Sequence, residues 1–281
     1  MKLNNFYIFI YKKISYFYNF IFGRKISQKI NNIIFSLALG AKGYKNYGNF
    51  DQTGEKNFIK IISSSLNLTL DIGANTGKYT QLILDETKSN VISFEPLKEA
   101  FKDLKNIEKV YPERLKVFNY AVGDKNEFLD LNTSNNKSEK ASFSKHTDKL
   151  TFYEQENSTK INTEVITLDT FFKNNPKLID EKELDFIKID TEGFELEVII
   201  GAKNLIEKKK PKFIQLEFNW HQLFKRQTMY EFSKFLEGYD LYQLLPFGKK
   251  LIRVDPIRPE TNIFHLSNFV YIRKDISSKF E

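Results

Sequence analysis

Carboxylates close the apolar runs of this chain. Asp71 ends "LTLD", Glu95 ends "VISFE", Asp124 follows "YAVG", Asp190 ends "FIKID" and Glu217 stands in "QLEF". Glu192 lies two residues beyond Asp190, and His221 lies four beyond Glu217. Gathered at one edge of a sheet, such groups can hold a cation, accept hydrogen bonds from hydroxyls, or take a proton from a weak acid.

The first carboxylate opens a glycine loop, "DIGANTGKYT". Its pattern is D-x-G-x-x-x-G, carried by Asp71, Gly73 and Gly77. A dinucleotide fingerprint needs G-x-G-x-x-G, and a phosphate-binding P-loop needs Gly-Lys-Ser/Thr. Neither is present. A loop that begins with a carboxylate suits the cationic end of a ligand better than a pyrophosphate. S-adenosylmethionine offers an ammonium and a sulfonium there. Glu95 can accept both hydroxyls of a ribose, a role that would serve NAD equally. The combination of Asp71, Gly73, Gly77 and Glu95 on successive strands is therefore the signal. The alternative is a tight strand–helix turn with acidic residues beside it by chance.

These residues need elements to position them. "LTLDIG" reads as a buried strand, followed by a helix from Thr76 to about residue 88. "NVISFEP" is a second strand stopped by Pro96. Residues 97–110 form a helix with Leu97, Phe101, Leu104 and Ile107 inward. "LKVFNYAVGD" is a third strand, "LDFIKID" a fourth, residues 192–206 a helix, and "KFIQLEF" a fifth strand. A helix around 228–237 precedes "DLYQLLPFG" and "NFVYIRK", which close the chain as a hairpin pair. Alternation of this kind implies an α/β fold, a doubly wound and mostly parallel sheet. Ligands of such sheets bind beyond the carboxyl ends of the strands, where the carboxylates stand.

In this order "LTLDIGANTGKYT", "SFEP", "YAVGD", "TLDTFF", "FIKIDTEGFELEVIIGA", "QLEF" and "NFVYI" resemble the FkbM-family methyltransferases, over about residues 55–273. The long "KIDTEGFE…GA" block is the most specific part. The resemblance implies a class I methyltransferase-like sheet of seven strands in the order 3-2-1-4-5-7-6, with the last strand antiparallel. It implies S-adenosylmethionine-dependent O-methylation of a hydroxyl on a sugar, surface glycan or natural product. Carried over residue by residue, Asp71, Gly73, Ala74, Asn75 and Gly77 would line the methionine side, with Tyr79 and Thr80 on the helix behind them. Glu95 and Pro96 would lie at the ribose, and Val122 and Asp124 at the adenine. Asp124 could equally be a turn residue. Glu55 could reach the methionine end or serve only as a helix N-terminal charge.

Methyl transfer is an in-line displacement that needs the acceptor aligned and, for a sugar hydroxyl, a base. Asp190, Glu192, Glu217 and His221 are the candidates. His221 or Asp190 would take the proton, and Glu192 and Glu217 would orient the base or bind substrate hydroxyls. Glu192 could instead be an acidic helix start, and His221 a rim histidine. Asp190, Glu217 and His221 also form an oxygen and nitrogen set that a divalent metal could use, though the spacing does not require one. Residues 132–160 could act as a lid, with Ser142, Phe143 and His146, and Trp220, Phe224 and Tyr242 could stack on a sugar ring.

The net charge of +7 is unevenly spread. Residues 1–50 hold eight of the 43 basic residues and no acidic one, leaving 35 basic against 36 acidic residues beyond. This organisation predicts a basic, aromatic-rich helical extension over 1–50 and a methyltransferase domain over 51–281. Nucleic acid is disfavoured as a partner, because a duplex-binding enzyme would carry its basic residues beside the site. "MKLNNFYIFIYKKISYFYNFIF" is nearly long enough to span a bilayer. Lys12 and Lys13 would each cost about 2.5–3.5 kcal/mol at its centre. The segment reads first as a helix that packs on its own domain or on a second copy, and otherwise as a helix lying on an anionic membrane surface. "LALGA" mimics a signal-peptidase site, but it stands too far from the start and Asn31 and Asn32 interrupt the apolar run. With no cysteine, a reducing, cytoplasmic setting is expected. A scaffold protein on a degenerate methyltransferase fold and a nucleic-acid methyltransferase are the competing readings.

Overall fold

The computed structural model describes residues 5–133, 141–143, 159–179, 182–248 and 251–281. The chain divides into two compact units, Met1–Lys42 and Gly43–Glu281. The division falls earlier than the 50/51 boundary expected from charge. Residues 43–50 belong to the larger unit, where the Tyr44 hydroxyl donates to the Glu260 carbonyl and Asn46 Nδ2 donates to the Thr53 carbonyl at 2.8 Å.

The smaller unit holds two helices, α1 (Asn5–Phe22) and α2 (Gln28–Ala41). Tyr18 donates its hydroxyl to Asn31 Oδ1 at 2.7 Å, and Asn31 Nδ2 donates to the Phe22 carbonyl at 2.9 Å, which ties the two helices together. Among the described residues no helix is long and apolar enough to cross a membrane.

In the larger unit, helices α3 (Phe50–Thr53) and α4 (Glu55–Ile62) lead into strand β1 (Leu68–Ile72). Then come α5 (Lys78–Glu86), β2 (Asn90–Phe94), α6 (Lys98–Val110) and β3 (Leu115–Phe118). β4 (Ala121–Val122), β5 (Glu127–Thr133) and β6 (Thr159–Ile166) form a separate three-stranded sheet in the order β4-β6-β5. The main alternation resumes with α7 (Leu168–Asn174), β7 (Leu184–Ile189), α8 (Glu195–Gly201), α9 (Lys203–Lys209) and β8 (Phe213–Phe218). The chain ends with α10 (Trp220–Lys225), α11 (Met229–Phe235), β9 (Tyr239–Gln243), β10 (Ile252–Arg253), β11 (Ser267–Arg273) and α12 (Lys274–Ser277).

The main sheet runs β10-β9-β11-β8-β7-β1-β2-β3. This is the expected 3-2-1-4-5-7-6 order, with β11 antiparallel to both β8 and β9 and the two-residue β10 added at the edge. β1, β7 and β8 are buried along their whole length, as strands covered on both faces must be. One face is filled by aromatic edges: Phe58 meets Phe186 and Phe213 with ring centroids 5.9 and 5.8 Å apart. On the other face Phe171 lies edge-on to Phe94 and Phe118, at 4.9 and 4.8 Å.

Two expected elements are subdivided. "LKVFNYAVGD" is not one strand, because β3 pairs with β2 whereas β4 pairs with β6. The helix expected over 192–206 begins only at Glu195 and breaks at Ala202. Both departures meet at one contact. A Cβ on Gly201 would lie 1.9 Å from the carbonyl oxygen of Gly123, so α8 reaches the backbone after β4 only because Gly201 lacks a side chain. The "GA" that ends the long sequence block and the "VGD" upstream are two sides of this contact. Gly201→Ala should therefore destabilise the larger unit by about 1–3 kcal/mol through overpacking. Thermal unfolding checks this as a lower Tm. An unchanged Tm would mean that the helix can withdraw freely.

Candidate active site

A cavity of about 630 Å³ opens beyond the carboxyl ends of β1, β2, β7 and β8. Its floor is the glycine loop. Gly73 (φ 78°), Asn75 (φ 50°) and Gly77 (φ 85°) all take left-handed backbone. A Cβ on Gly73 would lie 1.9 Å from the Asp190 carbonyl, so β1 and the turn after β7 touch directly at this point. Gly77 has a different task from the one expected. It is not part of the cavity wall, and a Cβ there would meet Ile107 and Leu104 of α6 at 2.5 and 2.8 Å. It sets helix packing beneath the loop.

Asp71, Gly73, Ala74, Asn75, Tyr79, Glu95, Pro96 and Val122 all line the cavity as expected. Thr80 does not. It is fully buried and donates its hydroxyl to Asp71 Oδ2 at 2.6 Å, which fixes the carboxylate. Asp124 also lies away from the cavity wall, in the turn after β4. Glu95 accepts the backbone N–H of Asn75 and of Leu97, each at 2.8 Å, and so joins the glycine loop to the start of α6. Burial pushes the Asp71 carboxyl up to about 6 and that of Glu95 up to about 7. Their hydrogen-bond donors hold both below where burial alone would put them.

Register places Asp71, Lys188 and Gln215 side by side across β1, β7 and β8. Lys188 was not foreseen as a site residue. Its side chain is 1% exposed and its Nζ lies 2.9 Å from Asp190 Oδ2 and 5.2 Å from the centre of the Tyr79 ring. Burial works against its charge, but the carboxylates of Asp190, Glu55 and Glu217 outweigh burial and raise its pKa above the ordinary lysine range. Glu55 is buried beside it, accepting from Thr53 Oγ1 at 2.7 Å and Gln215 Nε2 at 2.8 Å. Tyr79 donates to the other end of the Gln215 amide at 2.8 Å. Glu55 is thus a wall residue of the cavity, with its carboxyl pushed up by burial.

At the far side of the cavity stand Asp190, Glu192 and Glu217, with carboxylate oxygens within 4.8 Å of one another. Glu192 is no helix start. It sits at φ 52° in the turn before α8, an uncommon conformation for a side chain of its size. Glu195 holds that turn: its carboxylate accepts from Thr191 N at 3.0 Å, Thr191 Oγ1 at 3.1 Å and Gly193 N at 3.0 Å. Asn219 Nδ2 donates to Glu217 Oε1 at 2.7 Å and reaches Glu192 Oε2 at 3.4 Å, and so bridges the two carboxyl groups. Burial, then the Asp190 charge, pushes both glutamates well above the usual carboxylate range.

His221 is not at the cavity surface. It is fully buried at the start of α10, with Nε2 3.3 Å from Glu192 Oε2 but without hydrogen-bonding geometry to it. Burial lowers its pKa to about 4, so the ring is neutral near pH 7. Its ring stands behind Glu192, off the cavity wall. The metal set Asp190, Glu217 and His221 is accordingly not assembled: Glu192 takes the place of His221 beside the other two, and Lys188 already supplies a cation to Asp190.

Ala141 and Phe143 of the expected lid do line the cavity, while Ser142 exchanges backbone hydrogen bonds with Asn132 and donates its hydroxyl to the Glu192 carbonyl at 2.5 Å. His146 lies outside the described residues. Trp220, Phe224 and Tyr242 are absent from the wall, where Tyr47, Phe50 and Tyr120 stand with Tyr79 and Phe143. Asn46 and Tyr47 come from a segment with no motif, so nothing in the sequence marked them, whereas Asn268 opens "NFVYI", which reads only as a strand. Lys188 was visible as a lysine inside a buried strand, which demands a partner.

The donor set fits S-adenosylmethionine. Glycine backbone leaves room at the loop, Glu55 and Asp71 are buried carboxylates suited to its cationic end, and Glu95 faces the cavity for a ribose. Solved structures with similar folds are methyltransferases at low identity. One from Pyrococcus horikoshii, provisionally described as an RNA methyltransferase, is 13% identical, with a TM-score of 0.37 over 84% of this chain and 89% of that one. TYW2 of P. horikoshii in complex with MeSAdo is 15% identical, with a TM-score of 0.40 over 81% of this chain and 65% of that one. A precorrin-6y C5,15-methyltransferase from Geobacter metallireducens is 10% identical, with a TM-score of 0.37 over 78% and 88% of the two chains. No curated protein sequence matches. The profile of the methyltransferase FkbM domain matches residues 71–242, from the carboxylate that opens the glycine loop to the core of β9. That match spans most of the larger unit and every carboxylate of the cavity except Glu55, and on it the chain belongs to the FkbM methyltransferase family.

Proposed function

We propose that this protein is an O-methyltransferase acting on a hydroxyl of a sugar, surface glycan or hydroxylated natural product. The observation that carries the reading is the paired carboxyls of Glu192, partly exposed, and Glu217, largely buried, set together at the cavity wall and joined through Asn219. S-adenosylmethionine, when bound, supplies an activated methyl group with a neutral leaving group. The remaining tasks fall to the chain: to hold the acceptor in line, to exclude water and to remove one proton.

Two like charges this close do not both ionise easily, and Asp190 adds a third. A proton retained on one member relieves that repulsion. The ionised member accepts the proton of the acceptor hydroxyl, and the protonated member donates a hydrogen bond to a neighbouring hydroxyl oxygen. A polyhydroxylated acceptor satisfies both demands at once. Asn46 and Asn268 on the same wall add amide donors and acceptors for further hydroxyls. His221, neutral and behind Glu192, packs against that carboxyl without contributing charge.

The test is transfer of a labelled methyl group to glycan, free-sugar and small-molecule hydroxyl fractions. Labelling of RNA or protein alone would sink the acceptor assignment. With an acceptor in hand, Glu192→Gln or Glu217→Gln should lower kcat by about 10²–10⁴-fold, the range for loss of a general base. His221→Phe should cost less than either and leave donor affinity unchanged. A His221 effect as large as that of the glutamates would return the base to the histidine.

Donor binding has its own pH dependence. Asp71 and Glu95 have raised pKa values, about 6 and about 7, so both are charged above that window and become neutral as pH falls through it. Attraction for a cationic ligand is then complete on the alkaline side and lost on the acid side. Calorimetry should show affinity for S-adenosylmethionine weakening as pH drops below about 7. Asp71→Asn should weaken it about 10- to 150-fold at alkaline pH, the worth of one charged hydrogen bond. Folded protein with no donor binding at any pH would favour a scaffold role.

A further inference from the structure

The smaller unit has a surface that the methyltransferase site does not use. Helix α1 is apolar over most of its circumference, and its large side chains are exposed: Phe6 by 64%, Tyr16 by 77% and Phe20 by 67%. Lys12, Ser15 and Asn19, at i, i+3 and i+7, form a narrow polar stripe along one side. α2 and the turn before it repeat the pattern, with Ile26 86% and Leu37 69% exposed and Lys25 and Lys29 alongside. A helix this apolar requires a partner.

Charge and residue type choose among partners. The unit contains seven basic residues, from Lys2 to Lys42, and no acidic residue. A second copy would bring like charge against like charge. No described helix is long and apolar enough to cross a membrane. Single-stranded RNA would use the lysines and some aromatic faces, but it offers nothing to Ile14, Ile26, Ile30 or Leu37. Tyrosine and phenylalanine with flanking lysines are the composition of helices lying in the headgroup region of a bilayer. Lys13 is already folded over its own Phe9, with Nζ 4.7 Å from the ring centre, which lets its stem lie on the apolar side while its charge points along the surface.

We infer that the Met1–Lys42 unit binds an anionic membrane surface, with α1 lying in the interface and its lysines at the headgroups. The inference is independent of the acceptor proposed above. Each lysine near such a surface contributes about fivefold in partitioning, and the contribution is screened by salt.

The test is flotation of the full-length protein with vesicles of phosphatidylcholine alone or mixed with phosphatidylserine. Flotation is expected with the mixed vesicles at low salt, and much less with phosphatidylcholine or at high salt. Lys12→Glu/Lys13→Glu should weaken partitioning by about 25-fold or more. Phe17→Ser/Phe20→Ser should weaken it on both vesicle types. Circular dichroism and an unchanged Tm establish that the variants are folded. Absence of flotation with phosphatidylserine at low salt overturns the inference. So does binding that is indifferent to the lysine reversal. Concentration-dependent dimers without flotation would make a second copy the occupant, and tight binding of an RNA oligonucleotide without flotation would make it nucleic acid. Either result also overturns the inference.

Discussion

One buried ammonium allows this site to exist. Lys188 lies inside the central strand β7, fully enclosed, between the carboxylates that β1, α4 and β8 direct toward the cavity. Burying a lysine is costly unless it is paired, and burying several carboxylates together is costlier. Each part makes the other tolerable. The lysine stays charged because Asp190, Glu55 and Glu217 surround it, and those groups can be packed at the sheet edge because the lysine is there. Even so, one cation does not balance them. Glu192 and Glu217 remain displaced far from ordinary carboxylate behaviour, and Asp71 and Glu95 are shifted too. This residual imbalance is the chemical resource of the cavity.

Holding these groups in place requires backbone contacts as close as those of the side chains. The Gly73–Asp190 and Gly201–Gly123 contacts bring β1 to the turn after β7 and α8 to the turn after β4. The turn carrying Glu192 is in turn clasped by Glu195. The long "KIDTEGFE…GA" block is thus one mechanical unit. Its lysine neutralises, its first two acids face the cavity, its last glutamate holds the turn, and its glycine seats the helix.

The strand order was legible through the family resemblance, and the strands themselves because β1, β7 and β8 are mostly apolar and the acids at their ends stand out. The donor half was legible for the same reason: Asp71 and Glu95 are where a strand-end rule puts them. The split of "LKVFNYAVGD" was not, since Phe118 and Val122 have equal strand propensity and only the sheet partner distinguishes them. Nor was the retreat of His221. A histidine three residues past a strand end reads as exposed, but the capping of α10 by Asn219 turns it inward, where it is fully buried. Asn46 and Tyr47 reach the cavity through tertiary placement of a segment that carries no periodic signal, and Asn268 reaches it from a strand whose sequence marked only the sheet.

The short segment 141–143 joins the two halves of the wall. Ser142 binds the carbonyl of Glu192, while Ala141 and Phe143 beside it face the cavity. The methyl-donor side is built from the central parallel strands, whose spacing cannot change without disrupting the core. The opposite side is completed by this segment, by residues 46–50 and by the approach to β11, none of which belongs to that core. A lineage carrying this fold could therefore exchange one acceptor for another by altering peripheral segments alone, and the carboxyl pair would meet each new substrate already in position.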